Sequence, residues 1–389
     1  MKIREDFLPF ALPFFNEEEI SGVAGAIRSN WWSRGPLTGE FEKRFADYIG
    51  VKNAIAVNSC TAALHLALLC SDIGPGDEVL VPAMTFCSTA NTVVHTGATP
   101  VFLDIDEETG LLDPALIEEK ITPRTKAIMA VHYAGQACDM DAIGEVAQRY
   151  RLRVIEDAAH AVYTTYKGKM AGALGNPAAF SFYATKNLAT GEGGMLTTDD
   201  DDFAARARVL SLHGMSRNAW NRYGKGGSWR YEVLEAGYKY NMTDLAAALG
   251  LAQMDKLESM QRRRAEIAAA YDAAFAGIEG IAPLRDRGLG RHSHHLYVLK
   301  ADPARFRIGR DEWIDLLMEE YNIGMSVHFI PLPLQPLYQN KYDAKLGDFP
   351  HTERYFTQIM TLPLYPSMTK DDVDYVAEAV REIATRYAV

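Results

Sequence analysis

Asp157 and Lys186 are charged residues that each follow a predicted buried strand, where packing gives no reason for a charge. Asp157 comes directly after the segment RVIE, and Lys186 comes just after AAFSF, within YATKNLATGEGG. Taken alone, Asp157 is also interpretable as the N-cap of a following helix, and an isolated lysine is usually a surface residue. The chemistry becomes specific only when both are considered with a third segment.

That third segment, NSCT at residues 58–61, joins a predicted strand to the N-terminus of a predicted helix. The first backbone N–H groups of a helix have no partner within it, and the helix dipole adds positive potential there. Such a turn binds anions, phosphate above all. An ordinary polar N-cap is the alternative interpretation.

A lysine, a carboxylate and an anion cradle are the groups that pyridoxal 5'-phosphate (PLP) requires. A lysine amine bonds to its aldehyde carbon, and a carboxylate keeps the pyridine nitrogen protonated so that the ring accepts electrons. The spacing therefore predicts a PLP site in which Lys186 is the catalytic residue and Asp157 is the partner of the ring nitrogen. The phosphate is expected at the helix N-terminus that follows residue 58.

Short apolar segments alternate with helical segments through the first half of the chain, which is typical of a mostly parallel sheet covered on both faces. Ligands bind such sheets at the carboxyl ends of the strands. Strands are predicted at residues 53–57, 78–81, 100–104, 126–132, 153–155, 178–182 and 194–198, and helices at 61–69, 86–95 and 141–150.

The pattern changes after about residue 256, where a long helix rich in Ala and Arg leads to a Pro-rich stretch and a terminal helix. We therefore predict a large PLP-binding α/β domain over residues 14–255 and a small C-terminal α+β domain over 256–389. Residues 1–13 are expected to pack near the small domain. The basic run at residues 262–264 is interpreted as a solvated helix face.

The composition excludes several classes of function. A hydrophobic content of 48% over 389 residues indicates a globular protein, and a net charge of −11 argues against binding to nucleic acid or membrane surfaces. The N-terminus lacks the pattern of a signal peptide, and no stretch of eighteen apolar residues is present, so a cytoplasmic location is expected. The four cysteines have no C-x-x-C spacing and are expected to be reduced.

A histidine cluster, His292, His294 and His295, invites comparison with metal sites, but no metal is predicted. No acidic residue or cysteine is suitably spaced nearby. His295 is expected to begin a strand at HLYVL, which would send its side chain and that of His294 to opposite faces.

With these motifs in order, the chain resembles the DegT/DnrJ/EryC1/StrS family of PLP-dependent sugar aminotransferases from about residue 13 to residue 366. The resemblance implies the aspartate aminotransferase fold (fold type I), a nucleotide-linked keto sugar as substrate and glutamate as the usual amino donor. Within the family, HYAG, VIEDAAHA, TKN and GYKYN are most similar to the enzymes that form UDP-4-amino-4-deoxy-L-arabinose. The supporting segments include GDEVLVPAMTF, ATPVFLDID, TKAIMAVHYAG, VIEDAAHA, FSFYATKN and VHFIPLPLQPLY.

The resemblance also implies roles for single residues. Lys186 matches the Schiff-base lysine, Asp157 the pyridinium partner, and His160 a position packed against the ring. Phe86 matches the aromatic residue that stacks on the pyridine, although as a bare sequence feature it would more often belong to the core. The phosphate cradle is matched by Ser59, Cys60, Thr61 and Ser181.

A homodimer with shared active sites is implied as well, because a neighbouring subunit reaches the cofactor phosphate in relatives. Many relatives read N-Y-R where this chain has Lys239, Tyr240 and Asn241. Lys239 and Asn241 are the two candidates for that contact.

On the substrate side, many relatives carry a histidine where Pro333 stands, which leaves His328 as the candidate polar group facing the sugar. Basic residues in a loop rich in Trp and Gly are candidates for the substrate's diphosphate: Arg217, Arg222, Lys225 and Arg230.

Three alternatives compete with this interpretation, and Lys186 argues against the first of them. A PLP-dependent sugar dehydratase of similar sequence would carry histidine in place of Lys186. A regulatory member that had lost catalysis would be expected to lose Lys186 or Asp157, and both are present. An aminotransferase of the same family that acts on a non-sugar amine or ketone is excluded only weakly.

Overall fold

A seven-stranded sheet occupies the centre of the large N-terminal region in a computed structural model, which describes residues 2–216, 230–342 and 344–389. Its strand order is β1-β9-β8-β5-β4-β2-β3. The strands of this sheet are β1 (Asn53–Val57), β2 (Glu78–Pro82), β3 (Thr99–Leu103), β4 (Thr125–Val131), β5 (Arg153–Asp157), β8 (Ala178–Ser181) and β9 (Gly194–Thr198), and a small hairpin adds β6 (Thr165–Tyr166) and β7 (Lys169–Met170).

The sheet is mostly parallel, as predicted. Strand β2 pairs in parallel with β3 and β4, β4 with β5, and β5 with β8, whereas β9 runs antiparallel to both β1 and β8. Because β5 and β8 are parallel neighbours, Asp157 at the end of β5 and the segment that follows β8 lie at the same edge of the sheet. The predicted bounds match the observed ones for β1 and β9 and differ by one or two residues for the other strands of this sheet.

Helices cover the sheet because their apolar positions face it. In α3 nearly every side chain is buried, and this helix packs against β8 and β9, while α5 packs against β4 and β5. The helices of the described residues are α1 (Glu17–Arg28), α2 (Pro36–Ile49), α3 (Cys60–Cys70), α4 (Cys87–His95), α5 (Met140–Tyr150), α6 (Asp201–Ser211), α7 (Asp244–Phe275), α8 (Arg310–Glu319), α9 (Pro336–Tyr342), α10 (Pro350–Phe356) and α11 (Lys370–Tyr387).

The C-terminal region contains a separate antiparallel sheet of β10 (Ile281–Pro283), β11 (Tyr297–Ala301) and β12 (Ile359–Leu362). Its core includes Trp313 from α8 and Val380 from α11. Near the N-terminus, Leu8 pairs with Ile323 of this region.

The long helix α7 joins the two regions. Leu257 and Met260 pack in the cluster that contains Phe41 of α2, whereas Tyr271 and Phe275 belong to the core of the C-terminal region. The predicted division between residues 255 and 256 therefore falls inside one uninterrupted helix, and the division into two domains stays a prediction.

Two expectations about local structure were wrong. Arg264 is only 3% exposed and donates hydrogen bonds to the backbone oxygens of His294, His295 and Leu364, so residues 262–264 are not a solvated face throughout. The strand begins at Tyr297 rather than at His295, because His294 has a φ of 44° and the N–H of His295 bonds to the Ala134 oxygen instead of to a neighbouring strand.

In the part of the chain that the structure describes, no helix combines the length and the apolar character needed to cross a membrane. The four cysteines are free, and all but Cys87 are buried.

Candidate active site

A cavity of about 310 Å³ opens at the carboxyl ends of β5 and β8. Segments from both regions enclose it: Asp157 and Lys186 lie on the side of the large sheet, and His295, His328 and Phe329 lie on the opposite side. The structure thus brings together, around one space, the residues that the sequence placed after separate strands.

Asp157 is the last residue of β5, and the residue is 4% exposed. No helix follows it, so the N-cap interpretation was wrong. One carboxylate oxygen accepts a hydrogen bond from the Thr89 hydroxyl at 2.8 Å and the other accepts from the Ala159 N–H at 3.2 Å. Burial raises the pKa of Asp157, while these hydrogen bonds and the charge of Lys186 oppose the rise. Because both donors are neutral, the buried carboxylate can still bind a cationic N–H from the cavity.

Lys186 lies in the turn after β8, where its N–H bonds to the Tyr183 oxygen at 2.8 Å. Its side chain lines the cavity, with Nζ 3.4 Å from Nε2 of His295. Burial lowers the pKa of Lys186 to about 8, while the nearby Cys60 and Asp157 groups act in the opposite direction. The neutral form of the amine, which attacks a carbonyl carbon, is therefore far more populated near neutral pH than in an ordinary lysine.

The N-terminus of α3 forms the anion cradle. Ser59 is its N-cap and accepts a hydrogen bond from the Ala62 N–H at 3.1 Å, so the N-cap and anion-cradle interpretations apply to the same turn. A Cβ at Gly194 would lie 2.4 Å from the carbonyl carbon of Ser59, so only glycine lets β9 approach so closely. Ser59, Cys60, Thr61 and Ser181 all line the cavity.

Aromatic rings form the remaining walls. Phe86 is 55% exposed, not a core residue, and its ring centroid lies 5.7 Å from that of Phe329. His160 stacks on Phe329 with a centroid distance of 6.0 Å, and its Nδ1 accepts a hydrogen bond from the Ala134 N–H. Burial, with the charge of Lys186, holds the pKa of His160 well below its usual range. His160 is therefore neutral, with its proton on Nε2.

His328 lines the cavity from the C-terminal region. Its Nδ1 lies 3.0 Å from the Thr361 hydroxyl, and its ring stacks on Phe10 at 5.5 Å. Burial lowers the pKa of His328 to about 3, and the charge of Lys186 acts in the same direction.

His295 and Phe329 are among the residues of this site that sequence reasoning missed. His295 was considered only as one of three clustered histidines, yet the structure separates them: His292 and His294 stack on each other at 4.4 Å, while His295 lies at Lys186. The available signal was Asn187, a polar residue beside the lysine that needs a buried partner and finds it in His295.

Other predicted site residues lie outside this cavity. Asn241 lines a neighbouring cavity of about 360 Å³, which shares Glu192 with the first, and Lys239 is exposed. Arg230 is exposed and does not line either cavity. The remaining basic candidates, Arg217, Arg222 and Lys225, lie outside the described residues.

These features fit PLP. The amine of Lys186 has a lowered pKa, and the buried carboxylate of Asp157 accepts hydrogen bonds only from neutral donors. The N-terminus of α3 lies so close to β9 that only glycine fits at Gly194. They correspond to the aldehyde, the ring nitrogen and the phosphate of the cofactor, respectively.

Comparison with known proteins gives the same result. The chain matches the DegT/DnrJ/EryC1/StrS aminotransferase family over residues 13–381. It is 58% identical over 380 residues to the spore coat polysaccharide biosynthesis protein SpsC of Bacillus subtilis (strain 168), covering 98% of each chain. It is 42% identical over 383 residues to the UDP-4-amino-4-deoxy-L-arabinose–oxoglutarate aminotransferase of Shewanella sediminis (strain HAW-EB3), covering 97% of this chain and 98% of that one.

The fold is similar to that of Spr1654 from Streptococcus pneumoniae in its PLP form, with a TM-score of 0.91 and 36% identity, covering 98% of this chain and 99% of that one. The predictions of fold type I and of PLP as the cofactor are thereby confirmed. The chain belongs to the DegT/DnrJ/EryC1/StrS aminotransferase family and is a PLP-dependent aminotransferase.

Proposed function

We propose that this aminotransferase moves an amino group from an amino acid, with glutamate as the donor, to C4 of a nucleotide-linked keto sugar. The observation that carries the proposal is the meeting of Lys186, with its lowered pKa, and the buried Asp157 in one cavity. The relative from Shewanella sediminis is named for a 4-amino sugar nucleotide and for oxoglutarate, the keto acid of glutamate.

PLP, when bound, supplies the carbon that carries the amino group and a ring that accepts electrons. In the proposal, Asp157 holds the proton of the ring nitrogen, and Phe86 and His160 enclose the ring. The phosphate is bound by Ser59, Cys60, Thr61 and Ser181, which line the same cavity.

Lys186 has two tasks in this proposal. Its Nζ holds the cofactor before substrate arrives and then, as a free amine, moves a proton between the substrate carbon and the cofactor. A pKa near 8 suits both, because the amine can accept and release a proton near neutral pH.

We further infer a homodimer in which Lys239 or Asn241 reaches the phosphate of the partner's site. Lys239 is exposed and cationic, so it can reach a phosphate outside its own chain. The amide nitrogen of Asn241 donates to the Met242 carbonyl oxygen and would have to turn from it to reach a phosphate. Large apolar side chains stay exposed on the chain, including Trp32 at 57% and Leu234 at 57%. Sedimentation that shows a fully active monomer at assay concentration would contradict the dimer.

On the substrate side, His328 is proposed to contact the sugar and Arg217 and Arg230 to bind the diphosphate. His328 lines the cavity as a neutral polar group, which supports this role. For the two arginines the support is charge and sequence position alone.

One of the two other functions is disfavoured. A sugar dehydratase would have histidine at position 186, where this chain has lysine. An aminotransferase for a non-sugar amine or ketone would share the cofactor residues and differ on the substrate side, so only the substrate decides between them.

The test is incubation of the PLP-loaded protein with glutamate and a panel of nucleotide-linked 4-keto sugars, nucleotide-linked 3-keto sugars and non-sugar ketones, with the aminated product detected by mass. Conversion of a 4-keto sugar, absent with Lys186→Ala, is expected. Conversion of non-sugar ketones alone would assign the alternative function, and no conversion of any sugar would reject the substrate class.

A further inference from the structure

The Lys186 side chain has a hydrogen-bond partner that the proposed function does not use. Among the described residues, the imidazole of His295 is its side-chain partner, with Nζ and Nε2 3.4 Å apart, at the long end of hydrogen-bond range. His295 comes from the bend before β11, more than a hundred residues later in the chain, and is 6% exposed. Its place at the lysine is created by the tertiary fold.

The tautomer of His295 follows from its neighbours. The Asn187 amide nitrogen donates to the Ser293 carbonyl oxygen at 2.8 Å, and because a carbonyl can only accept, this bond sets the orientation of the amide. The amide oxygen then faces Nδ1 of His295 at 2.9 Å. Nδ1 must therefore carry the proton, and Nε2 presents a lone pair to Lys186.

The charges around this pair keep the imidazole neutral. Burial holds the pKa of His295 well below its usual range, and Lys186, His160, Arg264 and His328 act in the same direction. The other titratable groups that line the cavity are Cys60, Asp157, His160, Tyr183, Glu192 and His328. A neutral imidazole with its proton on Nδ1 can accept a hydrogen bond at Nε2 but cannot donate one there.

We propose that His295 is a positioning residue for Lys186: its Nε2 lone pair accepts a hydrogen bond from the lysine amine, holds Nζ toward the cavity and favours the ammonium form. Asn187 and Ser293 serve this arrangement by fixing the tautomer. A neutral acceptor bonds more strongly to an ammonium than to an amine, so the pair opposes the effect of burial on the lysine. The proposal rests on the function proposed for Lys186.

Two matched variants distinguish the role of Nδ1 of His295 from that of Nε2. His295→Asn keeps a polar group near the position of Nδ1 and loses the atom that faces Lys186, whereas His295→Gln keeps a polar atom near the position of Nε2. In cofactor-free protein, the ionisation of Lys186 is measured from the pH dependence of its acetylation by acetic anhydride, read by mass spectrometry of the peptide that contains it.

The pKa of Lys186 is expected to fall by about one pH unit in His295→Asn, because loss of one hydrogen bond to a charged group has about that effect. His295→Gln should keep the wild-type value more closely. An unchanged midpoint in His295→Asn, or the same shift in both variants, would overturn the proposal. Thermal unfolding of both proteins shows whether each is folded.

Should His295→Asn fail to fold, the wild-type protein tests the same point. The ¹⁵N shifts of its His295 ring, assigned by their loss from the His295→Gln spectrum, are expected to show a protonated Nδ1 and a bare Nε2. A proton on Nε2 would overturn the proposal.

Borohydride reduction of PLP-loaded wild-type protein, followed by peptide mapping, separately identifies the lysine that carries the cofactor. A lysine other than Lys186 would refute the proposed function without altering the measurement on cofactor-free protein.

Discussion

The two walls of the cavity are built differently. The sheet wall, formed by Asp157, Ser181 and Lys186, stands at the carboxyl ends of adjacent strands β5 and β8. The loop wall, formed by His295, His328 and Phe329, comes from irregular segments of the C-terminal region. Groups expected to hold the cofactor thus lie at the ends of strands or in the turn that follows, and groups that face them belong to loops that the small sheet and α7 hold in place.

The difference between the two walls predicts which kinetic constant a substitution in each wall should change. If the sheet wall performs the chemistry, its variants should lower kcat and alter the cofactor spectrum. If His328 and Phe329 of the loop wall mainly bind substrate, their variants should raise the KM of the sugar and leave the spectrum unchanged, whereas His295, which contacts Lys186, should act through the lysine. The following predictions test this division, beginning with the largest effect.

Lys186→Ala should abolish turnover. Loss of positioned proton transfer alone lowers rates by about 10² to 10⁴, and loss of the covalent route adds to that. The visible absorbance of lysine-bound PLP should disappear, while PLP itself stays bound through its phosphate and ring nitrogen. Lys169→Ala, at an exposed lysine of β7, is the control. A Lys186→Ala protein that kept a tenth of the turnover would show that another lysine is the catalytic one.

Asp157→Asn should reduce kcat on the order of 10²-fold, since removal of a preorganised buried electrostatic partner costs about that much. The amide can still accept from the Thr89 hydroxyl, so far-ultraviolet circular dichroism should match the wild type. Asp202→Asn, at an exposed position in α6, serves as the control. A decrease of less than about fivefold would argue that Asp157 is structural.

Arg217→Gln and Arg230→Gln should each raise the KM for the nucleotide sugar about tenfold, the effect of losing one charge-assisted hydrogen bond. The KM for the amino donor should not change, because the donor carries no diphosphate. Arg262→Gln on the exposed face of α7 is the matched control. Equal effects on both substrates would reject a diphosphate site.

His328→Gln should raise the KM for the sugar by about fivefold, the effect of one neutral hydrogen bond, with the cofactor spectrum unchanged. Because the pKa of His328 is lowered to about 3, the imidazole is neutral throughout the assay range, so the wild-type to variant ratio should be constant from pH 6 to about pH 8. A ratio that changed with pH would mean that His328 titrates. A large loss of kcat would place His328 among the groups of the sheet wall.

Much of the sheet wall could be predicted from sequence because its signals are local. Strands such as residues 178–181 are short, apolar and followed by turns, and Asp157 and Lys186 interrupt that pattern at the strand ends. Their roles stay predictions, but their common location followed from one rule of parallel sheets. Strand ends were less certain: β5 includes Asp157 itself, which was expected just beyond it.

The loop wall could not be predicted in the same way. His295 was expected to begin a strand, and Arg264 to face solvent, because local pattern favoured both. Instead Arg264 is buried, and its guanidinium donates hydrogen bonds to the backbone oxygens of His295 and Leu364, two residues that line the cavity. Those partners are distant in sequence, so the pattern of apolar and polar residues around Arg264 does not indicate them.

The sequence by itself determined the alternation of strands and helices, the family and the residues at the strand ends, since each depends on neighbours a few positions apart. Only the tertiary structure decided that His295 would meet Lys186, that Asn187 would set its tautomer, and that Asn241 would lie outside the cavity. The physical reason is that a hydrogen bond between residues 186 and 295 depends on how two separately built sheets pack around α7, which no local preference specifies.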